Sequence, residues 1–144
     1  MMNTPAPLPA LPPGLCHSEH MVVAPVHSVP RVGHWPGFAD MPPVFATAMM
    51  IGFMEQTCIQ ALRPYLTASQ RTVGTHVDMN HIAATPVGMK VVAEIELVEA
   101  KGKSLTFRVR CSDDAGLIGE GVHQRAIIDV RRFQERLAGR AAAA

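Results

Sequence analysis

Residues 44–63, VFATAMMIGFMEQTCIQALR, form the stretch that decides how the rest of the chain folds. Apolar residues recur in it at the spacing of an amphipathic helix, and Pro64 follows directly. Proline cannot continue a helix without strain, so the pattern predicts one helix over Val44 to Arg63, or a short lead-in followed by a helix. The predicted apolar stripe consists of Met50, Ile51, Met54, Cys58, Ala61 and Leu62.

Glu55 interrupts this pattern, because it is the only acid of the stretch and lies on the apolar side. Its helical neighbours three and four positions away are Ile51, Gly52, Cys58 and Ile59, and none of them is a charge partner. A carboxylate on an apolar surface is costly unless it is paired or used in chemistry. Glu55 is therefore the first candidate for a functional residue.

The size and composition of the chain favour one packed domain. It has 144 residues, of which 48% are hydrophobic and 17% charged, with a formal net charge of +1. The small net charge gives no reason to expect nucleic acid or a membrane surface as a partner. We expect neither a membrane span nor a signal peptide, since no apolar run approaches the roughly 20 residues that a span needs. The three widely spaced cysteines argue against a disulfide framework or a zinc motif and favour the cytoplasm.

The two ends of the chain differ in composition from its centre. Residues 1–14 are rich in Pro and Ala, which predicts disorder. The segment His20 to Val32 is β-rich but interrupted by prolines, which predicts an interrupted edge strand. We place one domain at residues 15–138 and an Ala-rich tail at residues 139–144.

Alternating apolar and polar residues predict four antiparallel strands after the helix, followed by a short C-terminal helix. Strands with one apolar face need a cover, and the only long helix available is the one over residues 44–63. An α+β hotdog fold follows, in which a curved antiparallel sheet wraps around one central helix. Edge strands of such a sheet commonly pair with a second copy, so we predict at least a dimer. The four strands are expected at Arg71 to Ala84, Met89 to Glu99, Ser104 to Ser112 and Leu117 to Val130.

Two residues are candidate partners for Glu55. His81 can donate a proton near neutral pH, and the alternative is a structural histidine at the end of a strand. Thr47 lies eight residues before Glu55, which is about 12 Å along a continuous helix. The two can then meet only through a lead-in that turns back, across a dimer, or through a bound substrate. The alternative role for Thr47 is capping of the helix.

Later strands contain further candidates. Gly74 lies inside a predicted strand, which indicates a bulge or a close approach to the backbone. His123 and Arg125 share a strand face with Gly119 and Gly121, whose small size would admit another chain or a ligand. We interpret His123 and Arg125 as polar, sheet-spanning or interface residues.

The loop Gly33 to Pro43 contains Trp35, Phe38 and Met41. Large apolar residues in a Pro- and Gly-rich loop can form a lid over a pocket, and packing of the loop onto the domain is the equal alternative. The sequence has no Gly-rich phosphate loop, no metal-ligand spacing and no Ser-centred elbow, so we expect no cofactor.

Three segments resemble the fluoroacetyl-CoA thioesterase family of hotdog proteins: VFATAMMIGFMEQTCIQALRPYL at 44–66, GTHVDMNHIAATPVGM at 74–89 and IGEGVHQRAIIDVRRF at 118–133. The resemblance extends from about Phe38 to Phe133 without gaps. It implies hydrolysis of a short acyl-CoA thioester by a catalytic Thr, Glu and His, with coenzyme A as part of the substrate.

Matched by motif, the resemblance assigns the catalytic roles to Thr47, Glu55 and His81. Glu55 would attack the thioester carbonyl or activate a water molecule, and His81 would protonate or stabilise the departing thiolate. Thr47 would hydrogen-bond the carboxylate or the reacting carbonyl. The family's glycine near the acyl group falls on Gly74, and Arg125, in the late His-x-Arg motif, has a supporting role.

One departure concerns the loop. The family member specialised for fluoroacetyl groups has a Phe where this chain has Met41, although Phe38 is retained. The prediction is therefore a thioesterase for short- or medium-chain acyl-CoA, with general hydrolysis implied and fluorine selectivity left open. We assign both loop residues to substrate binding, and candidates for the CoA phosphates are Arg63, Arg71 and the turn Lys101 to Lys103.

Three alternatives stay open. A non-catalytic acyl-CoA sensor or carrier would bind CoA without turnover. A hotdog enoyl-CoA hydratase would need Asp40 or Asp78 as its acid. A purely structural dimer module would not bind CoA.

Overall fold

The computed structural model describes residues 4–144, which form a five-stranded antiparallel sheet, one central helix and one C-terminal helix. The predicted α+β hotdog fold is thereby confirmed. Short 3-10 turns at 25–27, 29–31, 36–38 and 63–65 connect the regular elements. In chain order the elements are β1 Cys16–Val22, α1 Thr47–Leu62, β2 Gln70–Met79, β3 Lys90–Lys101, β4 Ser104–Asp113, β5 Gly116–Asp129 and α2 Val130–Ala143.

The sheet has the order β1-β3-β4-β5-β2, with every neighbouring pair antiparallel. β3, β4 and β5 follow one another as hairpins, while β1 and β2 form the two edges. Alternate residues of β3 and β4 are buried, as their sequence pattern predicts, and they pack against α1. Each fully buried aliphatic side chain of this core contributes about 1.5–3 kcal/mol. On β3 and β4 these residues are Val91, Ala93, Ile95, Leu97, Leu105, Phe107, Val109 and Cys111, and on α1 they include Met50, Met54, Cys58 and Leu62.

The central helix begins at Thr47 rather than Val44, after a short extended lead-in. Within this lead-in the Phe45 amide donates to the Thr85 carbonyl at 2.8 Å, and Val44 forms a β-bridge with Pro86. The lead-in therefore fixes the start of α1 beside the segment that follows β2. Ala46 occupies the N-cap position without a side-chain hydrogen bond, so the capping role considered for Thr47 is wrong.

Several boundaries differ from the predicted ones. β1 is an edge strand, but it precedes most of the predicted segment, because the prolines of residues 20–32 begin 3-10 turns instead. β2 ends at Met79, five residues earlier than expected. α2 continues to Ala143, so residues 139–143 extend a helix rather than a separate tail; alanine has the highest helix propensity.

The N-terminal segment, for which the sequence predicts disorder, lies partly outside the described residues, which begin at residue 4. Residues 4–14 have no helix or strand, yet they follow the surface of the domain. Leu11 packs against the core, and the Gln70 side-chain amide donates to the Pro7 carbonyl at 3.0 Å. Across residues 4–144, no helix has the length and apolar character needed to cross a membrane.

Candidate active site

Glu55 has a cationic partner that its own helix does not reveal. Nη1 of Arg125 donates to Oε2 of Glu55 at 2.9 Å, although the two residues are 70 positions apart in the chain. The Arg125 side chain is only 4% exposed, whereas that of Glu55 is 37% exposed. The contact therefore compensates the charge of a buried guanidinium while leaving part of the carboxylate accessible from outside.

Thr72 holds Arg125 in place from the edge strand β2. Nε of Arg125 donates to the Thr72 hydroxyl and Nη2 donates to the Thr72 carbonyl, both at 2.9 Å. A guanidinium presents its donors in a rigid planar fork, so two bonds to one residue fix its plane. The orientation of Arg125, and with it the position of Glu55, is set by β2.

His123 completes this cluster and is fully buried. Its Nδ1 lies 2.8 Å from the His76 carbonyl, and its Nε2 lies 3.0 Å from Nη1 of Arg125. A carbonyl only accepts and a guanidinium only donates, so the neutral imidazole with its hydrogen on Nδ1 is the tautomer that satisfies both contacts. Burial lowers the pKa of His123; the His76 carbonyl partly offsets this effect and Arg125 adds to it.

His123 and Arg125 are thus buried inside the domain against α1, rather than placed as interface or sheet-spanning residues. Their alternate positions on β5 put them on the same face as buried Ile127. The sequence contained a signal for this burial: His123 and Arg125 are spaced four and two residues from apolar Ile127, and residues at that spacing share one face of a strand. The contribution of Thr72 had no signal in the sequence, because it depends on the pairing of β2 with β5.

Gly74 marks a bulge, as its place in the sequence predicts, since the register between β2 and β5 shifts between Gly74 and His76. A Cβ at position 74 would lie 2.8 Å from Oε2 of Glu55, which is closer than real Cβ contacts. The backbone at this residue does not have a positive φ. The absence of a side chain, and not conformational freedom, is therefore what the site requires of Gly74.

Gly119 and Gly121 leave room for the close approach of another backbone segment of the same chain, at Asp78 to Asn80. A Cβ at Gly121 would overlap the Asp78 carbonyl, and a Cβ at Gly119 would meet the Asn80 carbonyl at 2.5 Å. Small residues on β5 thus allow the end of β2 and the segment after it to cross closely. The close approach that the sequence predicted at these two positions occurs within one chain.

Thr47 and His81 form a second cluster. The Thr47 hydroxyl lies 2.7 Å from Nδ1 of His81, across 34 positions of sequence. The other ring nitrogen, Nε2, is buried and finds no hydrogen-bond partner among residues 4–144. Burial lowers the pKa of His81 below 6.5, with a smaller opposing effect from the Ala83 backbone. Burial therefore favours the neutral imidazole, whose Nδ1 contacts Thr47 while Nε2 has no hydrogen-bond partner among residues 4–144.

The two clusters remain separate within the chain. Thr47 and Glu55 belong to one continuous helix, eight residues apart, which is about 12 Å along its axis. Because Thr47 is the first residue of α1, a lead-in that turns back does not bring them together. Cys58 lies near the Glu55 cluster, but burial raises the pKa of its thiol to about 12, so it is not a thiolate nucleophile.

The loop residues remain near the surface. Trp35 is 60% exposed and Met41 is 48% exposed, and the ring of Trp35 meets that of Phe38 edge to face at 5.2 Å between centroids. Phe38 is half-buried, whereas Trp35 and Met41 are exposed, so these side chains decide neither for a lid nor for packing of the loop onto the domain. Within the described part of the chain, no hydrogen bond or ring contact joins the loop to Glu55 or His81.

The candidate phosphate-binding residues lie in two different places. Arg63 and Arg71 line a cleft of about 420 Å³ that also includes Thr72. Lys103 lines another cavity of about 460 Å³ beneath the N-terminal segment. The arginine pair is therefore the one adjacent to the Arg125 cluster. Among residues 4–144, no group of three or more His, Cys, Asp or Glu side chains is arranged to hold a metal ion.

The chain is similar to known proteins in both sequence and fold. The fluoroacetyl-CoA-specific thioesterase family, FlK, matches residues 31–131 of this chain. The fluoroacetyl-CoA thioesterase of Streptantibioticus cattleyicolor is 38% identical over 120 residues, which cover 82% of this chain and 86% of that protein. A solved structure of FlK superposes with a TM-score of 0.87 at 35% identity, covering 90% of this chain and 97% of the other. A thioesterase superfamily member from Thermus thermophilus shares the fold, with a TM-score of 0.81 at 24% identity over 94% of this chain and 98% of its own. The chain therefore belongs to the FlK family of fluoroacetyl-CoA-specific thioesterases.

Proposed function

We propose that this protein is a thioesterase that hydrolyses a short- or medium-chain acyl-CoA to the free acid and CoA. The observation that carries the proposal is the Glu55 carboxylate. It is partly exposed, accepts a hydrogen bond from buried Arg125, and lies beside Gly74, which has no side chain to occupy its space. Its support is the membership of a family whose curated relative is a thioesterase.

Glu55 is the group that acts on the thioester carbonyl. Its Oε2 accepts the hydrogen bond from Arg125, whereas its Oε1 accepts none from residues 4–144. Oε1 is thus the oxygen that attacks the carbonyl carbon, or that takes a proton from an attacking water molecule. Both routes release the same acid and thiol, and both keep Arg125 as the residue that orients the carboxylate.

His81 and Thr47 act on the leaving group. With the Thr47 hydroxyl donating to Nδ1, the neutral imidazole carries its hydrogen on Nε2, the nitrogen for which residues 4–144 supply no partner. Donation of that hydrogen to the departing sulfur would give the buried nitrogen a hydrogen-bond partner. A thiolate is a good leaving group, so hydrolysis proceeds without a metal or another cofactor.

The active enzyme is a homodimer or a higher oligomer in which the edge strand β2 pairs with a second copy. Residues Gly74 to Asp78 of this strand are exposed and the edge has no partner among the described residues. We propose that this pairing brings Thr47 and His81 of one copy to the substrate held by Glu55 of the other; a substrate that spans the roughly 12 Å along α1 within one copy is the alternative. The free cysteines suit a reducing compartment, and we place the protein in the cytoplasm.

Mixing of inactive variants tests the shared site. If equal amounts of Glu55→Ala and His81→Ala subunits exchange freely, half of the dimers contain one subunit of each kind. In each of these mixed dimers, one of the two shared sites is intact. Turnover of about a quarter of the wild-type value is then expected. Sites built within single subunits would stay inactive in every combination, and light scattering after size exclusion would separately establish whether a dimer forms.

Thiol release from a panel of acyl-CoA substrates, from acetyl to decanoyl with fluoroacetyl included, tests the activity itself. Wild type is expected to hydrolyse one class of acyl group, and Glu55→Ala to lose roughly 100-fold or more in kcat while still binding CoA. Glu94→Ala, which removes an exposed carboxylate from the outer face of β3, is the matched control. Turnover in neither protein, with CoA still bound, would favour a sensor or carrier, and no observation supports Asp40 or Asp78 as the acid of a hydratase.

Met41 is the position at which the lid differs from the fluoroacetyl-specialised relative, so Met41→Phe addresses selectivity. We propose that Phe38 and Met41 cover the bound acyl group, on the basis of their place in the exposed loop. The variant is expected to raise the ratio of kcat/KM for fluoroacetyl-CoA over acetyl-CoA. An unchanged ratio would remove Met41 from the substrate-binding residues.

A further inference from the structure

We propose that His123 is a positioning residue for the hydrolysis: it holds Arg125 so that the guanidinium presents the Glu55 carboxylate to the substrate. The inference rests on the proposed thioesterase function and adds to it a buried residue that never touches the substrate. It stands on a continuous series of hydrogen bonds from the β2 bulge to the carboxylate.

The series begins at the backbone. The His76 carbonyl, which follows the bulge, accepts from Nδ1 of His123 at 2.8 Å. Nε2 of His123 then accepts from Nη1 of Arg125 at 3.0 Å, and the same Nη1 donates to Oε2 of Glu55 at 2.9 Å. Each step joins one donor to one acceptor, so the direction of every bond is determined.

The number of N–H donors on Arg125 explains why an acceptor is needed at the position of Nε2 of His123. Nη1 carries two hydrogens, and its two acceptors are Nε2 of His123 and Oε2 of Glu55. Nε and Nη2 are engaged by Thr72. Without Nε2, one hydrogen of a buried Nη1 would lack a partner, and such a group costs about 1–3 kcal/mol when it is left unsatisfied. Because the two bonds to Thr72 restrain its plane, the guanidinium would recover a partner by a small tilt, and the carboxylate bound to Nη1 would follow it.

The arrangement requires a neutral imidazole. The charged and titratable groups that face His123 are Arg125, Glu55 and His76. A proton on Nε2 would point at an N–H of Arg125, where two donors oppose each other. Burial and the neighbouring guanidinium disfavour that proton, whereas the His76 carbonyl and Glu55, whose Oε2 lies 3.8 Å from Nε2, favour it; burial is the largest effect and the pKa of His123 is lowered. His123 therefore acts as a fixed acceptor and takes no part in proton transfer.

Two substitutions separate positioning from simple packing. In His123→Asn the amide nitrogen replaces Nδ1 and can still donate to the His76 carbonyl, but nothing replaces Nε2. In His123→Gln the longer side chain brings its carbonyl oxygen towards the place of Nε2, where it can accept from Arg125. The first variant keeps the backbone contact and loses the acceptor, while the second keeps the acceptor.

Steady-state thiol release and urea unfolding are measured on both variants, with His20→Gln, an exposed β1 residue, as the control. We expect kcat to fall at least tenfold in His123→Asn, with KM within twofold, and His123→Gln to recover to within about threefold of wild type. Equal kcat in wild type and His123→Asn would overturn the proposal. So would a fall in both variants that follows their loss of stability, since that pattern belongs to a packing role. Absence of turnover in wild type would instead refute the thioesterase function, and the proposal with it.

Discussion

Replacing Gly74 by alanine tests how closely the carboxylate of Glu55 is constrained. The added Cβ would lie 2.8 Å from Oε2 of Glu55, 3.3 Å from Cε1 of His123 and 3.5 Å from Nη1 of Arg125. His123 and Arg125 are buried, so they have little freedom to move. The carboxylate is the end of a flexible, half-exposed side chain and is therefore the group that must retreat.

The size of the retreat sets the expected loss. Ordinary contacts of a Cβ begin at 3.4 Å, so Oε2 must move by about 0.6 Å. A displacement of about 1 Å in a reacting group can cost roughly 100-fold in rate. We therefore expect kcat to fall about tenfold, which corresponds to about 1.4 kcal/mol. Stability should change by less than about 1 kcal/mol, because the backbone at Gly74 suits alanine and a flexible group yields to the methyl.

Thiol release under saturating acyl-CoA gives kcat, and urea unfolding followed by circular dichroism gives the free energy of unfolding. Gly139→Ala is the matched control, since a Cβ there meets no atom of residues 4–144 within 4 Å. A folded Gly74→Ala protein with kcat within twofold of wild type would refute the reasoning. A Gly74→Ala protein that fails to fold would also refute the reasoning, because it would show that the backbone, and not the Glu55 carboxylate, must move to accommodate the added methyl group.

Three further predictions concern other parts of the site. Thr47→Val removes the hydroxyl that holds Nδ1 of His81, so kcat for thiol release should fall at least tenfold, while Thr47→Ser should stay near wild type; equal activity of the two variants would contradict the role of the hydroxyl. His123 has a lowered pKa in the folded protein, so the unfolded chain takes up the proton first and stability falls as the pH drops below about 6.5. Urea unfolding at pH 7.5 and 5.5 should show this loss, at up to about 1.4 kcal/mol per pH unit for each such histidine. The lowered pKa of His81 acts in the same direction, so His123→Gln should reduce the slope without abolishing it; an identical slope would place the pH dependence elsewhere. Iodoacetamide at pH 8 should modify exposed Cys16 in the native protein and leave Cys58 intact, because Cys58 is buried and its pKa is about 12. Mass spectrometry would detect the adducts, and rapid native modification of Cys58 would show that its surroundings open to solvent.

Local pattern in the sequence was sufficient for most of the fold. Helical periodicity between Val44 and Pro64 identified the central helix, and alternation identified the strands, because both signals depend on residues only a few positions apart. Glu55 stood out for the same local reason, as a charge on an apolar stripe. Gly74 indicated the bulge. Several boundaries differ from the predicted ones, because the 3-10 turns of residues 25–31 and the extension of α2 depend on how these segments pack and end.

The partners of these residues were decided only by the tertiary structure. Arg125 reaches Glu55 from 70 positions away, and His81 reaches Thr47 from 34 positions away. Both contacts depend on the strand order, on the register shift between β2 and β5, and on the lead-in that fixes the start of α1. Periodicity shows which face a residue occupies but not which distant residue faces it, because that choice is made when the sheet closes over the helix. The sequence by itself thus determined the elements and the unusual acid, and the packed structure determined what holds that acid in place.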